Sequence, residues 1–213
     1  MLTVNEIFYS IQGESTFAGR PCVFVRLSAC DLRCSWCDTG YAFHQGQKRS
    51  LDDVLADVDR RHCQLVEVTN GEPLLQQDVY PLMQSLLDRG RTVLLETGGH
   101  VSTADVPTGV VTILDVKCPG SGEAHRTVWS NLDRLRPHDE VKFVVKDRED
   151  YEYARKVIGQ YDIGERVAAV HLSPVHDVMD LRSLSEWVLA DGLDARVQVQ
   201  LHKYIWDPGA RGV

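Results

Sequence analysis

The chain has 213 residues, 43% hydrophobic and 25% charged, which suits one α/β unit with enough buried apolar surface to fold without disulfides. Its 31 acidic side chains outnumber 23 basic ones, and the net charge of −8 argues against a broad basic footprint for nucleic acid or an anionic membrane surface. No apolar run approaches the roughly 20 residues that span a bilayer, and Met1-Leu2-Thr3-Val4-Asn5-Glu6 lacks the basic and apolar blocks of a signal peptide, so a soluble cytoplasmic protein is expected.

Residues 23–27 read as the first strand. Ser50, with Asp53 three residues on, caps a helix whose apolar face is Leu51, Val54, Leu55 and Val58. A strand over 65–69 precedes a helix carrying Val79, Leu82, Met83, Leu86 and Leu87, with Pro81 near its start and Gly90 as its stop. Strands follow over 92–97 and 110–117, then a short helical piece over 127–136 and a strand over 140–145. A helix with Ala154, Val157, Ile158 and Tyr161 leads to a strand over 168–173, and Leu181, Leu184 and Val188 mark a last helix that ends at Gly192, before a strand over 195–201. Such alternation predicts a parallel sheet with helices on its outer face. Eight βα units need about 250 residues. About six core strands plus the terminal one therefore imply an open, partial βα barrel forming one domain over residues 1–213.

Within the first strand, alternation puts Val23, Val25 and Leu27 on one face and Phe24 and Arg26 on the other. Helices cover the first face, which leaves Arg26 in the lumen, where a guanidinium needs an anionic partner. Asp115 and Lys117 share a face, and Thr69, Glu96 and Ser173 also end their strands. One such residue could simply begin a solvated loop; five strand ends together favour a site at the mouth of the barrel.

A reducing compartment makes the six cysteines more probable ligands or catalysts than disulfides. Cys30, Cys34 and Cys37, spaced Cys-x3-Cys-x2-Cys directly after the first strand, can converge on one soft centre. Zinc would take a fourth protein ligand, with His44 nearest; an iron–sulfur cluster can leave one iron open. Cys22 and Cys63 read as packed thiols, and Cys118 has no assigned task.

The three-cysteine spacing resembles the signature of radical S-adenosylmethionine enzymes. Together with Glu6–Glu14 (EIFYSIQGE), Phe24-Val25-Arg26, Cys37-Asp38-Thr39, Val68–Pro73 (VTNGEP), Glu96-Thr97-Gly98-Gly99, Asp115-Val116-Lys117 and the tail Gln200–Tyr204 (QLHKY), it is similar to the 7-carboxy-7-deazaguanine synthases from residue 6 to the C-terminus. The resemblance implies a 4Fe–4S cluster on Cys30, Cys34 and Cys37, with S-adenosyl-L-methionine on the open iron and an external flavodoxin-like or ferredoxin-like electron donor. It implies conversion of 6-carboxy-5,6,7,8-tetrahydropterin to 7-carboxy-7-deazaguanine and ammonia by hydrogen abstraction at C6, for queuosine and related deazapurine synthesis. It further implies Mg2+ at Thr39, a homodimer, and a trimmed barrel with fewer helices than the 127–136 reading suggests.

By the same resemblance, Trp36, Asp38, Gly71, Glu72, Asp115, Val116, Lys117, Ser173, Pro174, Val175 and His176 would line the cofactor. Asn70 stands where the superfamily has the first glycine of a Gly-Gly-Glu-Pro turn. Glu96 could accept a ribose hydroxyl. Arg26 would pair with the pterin carboxylate, Ile11, Gln12 and Gly13 would hold the pterin edge, and Thr69 would add a hydroxyl. Glu14 would relay protons. Pro208 would help the tail, from about residue 195 to 213, to close over the substrate, with Tyr204, Ile205 and Trp206 packed. The rival readings are an activase for a glycyl-radical enzyme, which needs a docking surface rather than a lumenal arginine, and a zinc-binding interaction module on Cys30, Cys34, Cys37 and His44. A tRNA-binding module fits poorly with the acidic balance.

Overall fold

In chain order, the apolar runs form β1 (Leu2–Ile11), β2 (Pro21–Leu27), β3 (Gln47–Arg49), β4 (Leu65–Thr69), β5 (Thr92–Thr97), β6 (Val111–Asp115), β7 (Glu140–Val145), β8 (Ala169–Pro174) and β9 (Arg196–Val197). The structure, a computed structural model, describes residues 1–213. The strands join into one sheet in the order β3-β1-β2-β4-β5-β6-β7-β8-β9. Every pairing from β2 to β9 is parallel, as the strand–helix alternation predicts. The strands β1 and β3 were not predicted; both pair antiparallel and extend the sheet beyond β2.

Helices α1 (Leu51–Asp59), α2 (Val79–Asp88), α3 (Ser130–Asp133), α4 (Arg148–Gln160), α5 (Leu181–Asp191) and α6 (His202–Ile205) complete the chain. Local chemistry sets the starts of three: the side chains of Ser50, Asp147 and Asp180 each accept the backbone N–H three residues on, satisfying a donor the helix itself cannot. The helical piece expected over 127–136 shrinks to the single turn of α3, flanked by Arg136, whose side chain reaches back to the carbonyls of Val106 and Pro107.

The outer face holds the core in two parts. Val23, Val66 and Val93 belong to one with Val54, Leu82 and Met83. Leu114, Val141, Phe143 and Leu172 belong to the other with Ala154, Val157 and Leu184. Each such side chain contributes roughly 1.5–3 kcal/mol when fully buried.

Candidate active site

Ladder register decides which side chains share the inner face. Phe24 stands beside Glu67 and Arg26 beside Thr69. Glu67 pairs with Leu94 on β5, and Glu96, two residues on, pairs with Ile113 on β6. Asp115 then pairs with Lys142, Ile113 with Glu140, Lys142 with His171, and Val144 with Ser173. Period-two alternation therefore lines one face with Arg26, Glu67, Thr69, Glu96, Asp115, Glu140, Lys142, His171 and Ser173. Four of these, Glu67, Glu140, Lys142 and His171, went unread in the sequence because none lies at the carboxyl end of its strand: Glu140 begins β7 and the others lie inside their strands. The alternation that singles out Arg26 also singles them out.

Arg26 obtains its partner from an irregularity in β1. Val4 pairs with Leu27 but Glu6 with Arg26, so one extra residue is accommodated at Asn5. The bulge turns the strand over, and Glu6 and Phe8 follow Arg26 and Phe24 onto the inner face. Glu6 Oε1 lies 2.8 Å from Arg26 Nε. The guanidinium also lies over the rings of Phe8 and Tyr41, 5.1 and 6.0 Å from their centroids.

Deeper in the lumen, Lys142 binds Glu96 closely and lies 3.4 Å from Glu14 Oε2. Thr69 Oγ1 donates to Glu96 Oε2 at 3.0 Å. Burial lowers the Lys142 ammonium, but Glu14, Glu96 and Asp115 outweigh it and hold it well above the usual lysine range. Burial pushes Glu96 up, yet Lys142 and Thr69 bring it below the ordinary value. Glu14 stays raised, chiefly by burial. Burial and the nearby Glu96 lift Glu67 to about 8, against the hydrogen bond from Gln12. Towards β8, Glu140 accepts from the backbone of Thr16 at 3.0 Å and contacts His171 Nε2 at 2.6 Å, tying the loop after β1 across the sheet.

The cysteines sit on the loop that leaves β2. All three are free, Cys30 and Cys34 part-buried and Cys37 exposed. Burial pushes the Cys30 thiol up to about 11, and Lys117 is among the charges that draw Cys30 and Cys34 back toward thiolate. A tetrahedral zinc with Zn–S near 2.3 Å would hold thiolates about 3.8 Å apart. The group of metal-ligating side chains whose donor atoms all lie within 4.8 Å of one another is instead Cys30, Asp31 and His100. Three free thiols on one loop suit three irons of a cluster that leaves the fourth open. His44 is exposed and outside that group.

The turn after β4 locks onto this loop. Asn70 and Gly71 both have left-handed φ, +69° and +60°. A Cβ at Gly71 would lie 2.2 Å from the Ala29 carbonyl oxygen, so only glycine fits. Glu72 N donates to that oxygen at 2.9 Å. The Glu72 carboxylate is fully buried and accepts from Thr97 Oγ1, Gly98 N and Leu74 N, so it shapes the turn. Asp115 pairs with Lys117 at 2.7 Å, while Asp115 Oδ1 and Ser173 Oγ are buried without partners, as expected of groups awaiting a polar ligand. Beyond Ser173, Pro174, Val175 and His176 line a groove of about 340 Å3 with Val199 and Tyr204. Val116 is fully buried in the outer core and donates its N–H to the Lys142 carbonyl. Trp36 is half-buried on the cysteine loop, and Thr39 Oγ1 lies 3.7 Å from Cys37 Sγ.

The tail reaches the site through residues other than Pro208, which is exposed. Leu201 N donates to Gly13 O at 3.0 Å, and His202 packs so closely that a Cβ at Gly13 would lie 2.5 Å from its Nδ1. Lys203 pairs with Asp38 at 3.0 Å, and Arg211 lies over the Tyr41 ring at 3.7 Å. Trp206 is half-buried, but Tyr204 and Ile205 are 63% and 48% exposed, contrary to expectation. Gln12 spends its amide inside the protein, donating to Glu67 and accepting from Glu14 N, and Ile11 ends β1 half-buried. His202 was legible only as part of the tail motif, with no role attached.

The family model of the Radical SAM superfamily matches residues 25–111, which contain Arg26, the three cysteines and the Asn70–Gly71 turn. The chain is 46% identical over its full length to the 7-carboxy-7-deazaguanine synthase of Koribacter versatilis, covering all of that protein. It is 43% identical to the synthase of Chlorobaculum tepidum, over 100% of this chain and 97% of that one. The crystal structure of QueE from Escherichia coli shares the fold, with a TM-score of 0.77, 24% identity and 94% of each chain covered.

Proposed function

The chain belongs to the 7-carboxy-7-deazaguanine synthases of the Radical SAM superfamily, and from that premise we propose that it converts 6-carboxy-5,6,7,8-tetrahydropterin into 7-carboxy-7-deazaguanine and ammonia. The observation that carries this reading is Arg26. It is a guanidinium on the inner face, four residues before Cys30, clamped between two aromatic rings with hydrogen-bonding edge to spare. Cys30, Cys34 and Cys37 would hold a 4Fe–4S cluster, and the backbone of Asn70–Glu72, with Asp115, Lys117 and Ser173, would hold S-adenosyl-L-methionine. When bound, these groups supply one-electron cleavage and hydrogen-atom abstraction; the protein supplies orientation and dryness.

Arg26 receives the pterin carboxylate. Burial raises the Glu14 carboxyl and the Lys142 ammonium 3.4 Å away favours its anion, so the pair can pass a proton toward the substrate amine that leaves as ammonia. Glu96 holds Lys142 and Thr69 in place. His202, Lys203 and Asp38 close the tail across Gly13 and keep water out. Thr39 would hold Mg2+, which keeps most of its waters and takes further oxygens from substrate. Residues 1–213 would act as one unit, in homodimers supplied by a flavodoxin-like or ferredoxin-like electron donor. No helix is long and apolar enough to cross a membrane.

Arg26→Ala tests the assignment. Pterin turnover is expected to fall at least 10²-fold, as a lost charged anchor misplaces the reacting carbon, while the cluster absorbance stays unchanged. Intact pterin turnover in the variant, with activation of a protein partner, would instead support the glycyl-radical activase.

A further inference from the structure

Asn70 occupies a position where a left-handed φ of +69° favours glycine, and it spends its side chain on the inner face. Its Oδ1 accepts from Arg26 Nη1 at 2.9 Å. Arginine only donates, so the amide orientation is fixed by chemistry. Its Nδ2 is buried without a partner, a second donor held beside the guanidinium. Arg26 therefore has the Glu6 carboxylate 2.8 Å from Nε as a charge partner without a hydrogen bond, Phe8 and Tyr41 on its faces, and one side-chain hydrogen bond, from Nη1 to Asn70. Its Nη2 makes no protein hydrogen bond and remains the edge for a ligand. The same Asn70 begins the turn whose next residue, Gly71, abuts Ala29 on the cysteine loop. Backbone geometry at position 70 needs nothing that glycine would not supply, so the side chain has another use.

We propose that Asn70 is a positioning residue for substrate, aiming Arg26 and adding an amide donor to recognition of the carboxylate, and thereby joining the substrate site to the cofactor turn. This rests on the assignment of Arg26 to the pterin carboxylate. Asn70→Gly keeps the left-handed turn and removes only the amide.

The test uses the anaerobically reconstituted enzyme with S-adenosylmethionine but no reductant, so that binding is read without turnover. The Kd for 6-carboxytetrahydropterin is expected to rise about tenfold in Asn70→Gly, the scale of one hydrogen bond to a charged group. The Kd for tetrahydropterin lacking the carboxylate, and that for S-adenosylmethionine, should move less than twofold. In steady state the same change should appear in KM rather than kcat. On an Arg26→Lys background, which lacks Nη1, the Asn70→Gly effect should shrink, because the two residues act as a unit. An unchanged Kd in Asn70→Gly, or a loss equal for both pterins, overturns the positioning role. A wild-type enzyme that binds the two pterins equally overturns the Arg26 assignment instead.

Discussion

Burial beside Glu96 holds the Glu67 carboxyl at about 8, against an ordinary value of 4.5, and this has a measurable cost. Between those two values the folded chain keeps a proton that the unfolded chain releases, so this site's contribution to stability falls as pH rises from about 4.5 to about 8. Glu67→Gln removes the titration and keeps an oxygen to accept from Gln12. The unfolding midpoint of the variant minus that of the wild type, followed in reconstituted protein, should therefore increase from about pH 5 to about pH 8. A difference that stays level with pH would show that Glu67 is not held protonated. The same inner-face alternation explains both what the sequence revealed and what it concealed. Arg26 stood out because Phe24 and Leu27 frame it near a strand end. Glu67 and Lys142 follow the same rule, but an expectation that sites lie at strand ends passed over them. His171 and Glu140 pair with each other, so nothing in either residue alone marks the contact.

At the scale of elements, the parallel strands and α1, α2, α4 and α5 were legible because apolar periodicity and capping agree with the final packing. The N-terminal strand β1 was not. Its alternation breaks at the Asn5 bulge, which is the feature that brings Glu6 opposite Arg26. The strand β3 has three residues, too few for periodicity to register. The strand expected over 195–201 pairs with β8 only as far as Gln198, whose N–H donates to Leu172 O at 3.0 Å. Gln198 exchanges side-chain hydrogen bonds with the backbone of Ser15, and Leu201 N goes to Gly13 O. The tail thus leaves the sheet after Gln198 and holds the loop after β1. Gly13→Ala tests this latch, because the added Cβ meets His202 at 2.5 Å. The variant should retain its cluster and fold but lose about 10²-fold in kcat/KM, the scale of an ångström of misplacement, and limited proteolysis should cut its tail faster. His202→Ala in the same chain should restore part of the loss. Wild-type kinetics and protease resistance in Gly13→Ala would disprove the latch.

Across the whole molecule, the net charge of −8 and the charged lumen describe different surfaces. The lumen sets Glu6, Glu14, Glu67, Glu96 and Asp115 among Arg26, Lys117 and Lys142, with burial raising both Glu14 and Glu67, so it can take an anionic pterin and a sulfonium cofactor in one enclosure. The open sheet, nine strands in one order with no closing pair, leaves room for both, and the loop after β1 and the tail cover the gap. The most direct test is a single anaerobic incubation of reconstituted enzyme with 6-carboxytetrahydropterin, S-adenosylmethionine, Mg2+ and reductant, read by mass spectrometry and an ammonia assay. The account predicts 7-carboxy-7-deazaguanine and ammonia in equal amounts, with each enzyme turning over repeatedly. Formation of 5′-deoxyadenosine with the pterin recovered unchanged would contradict it.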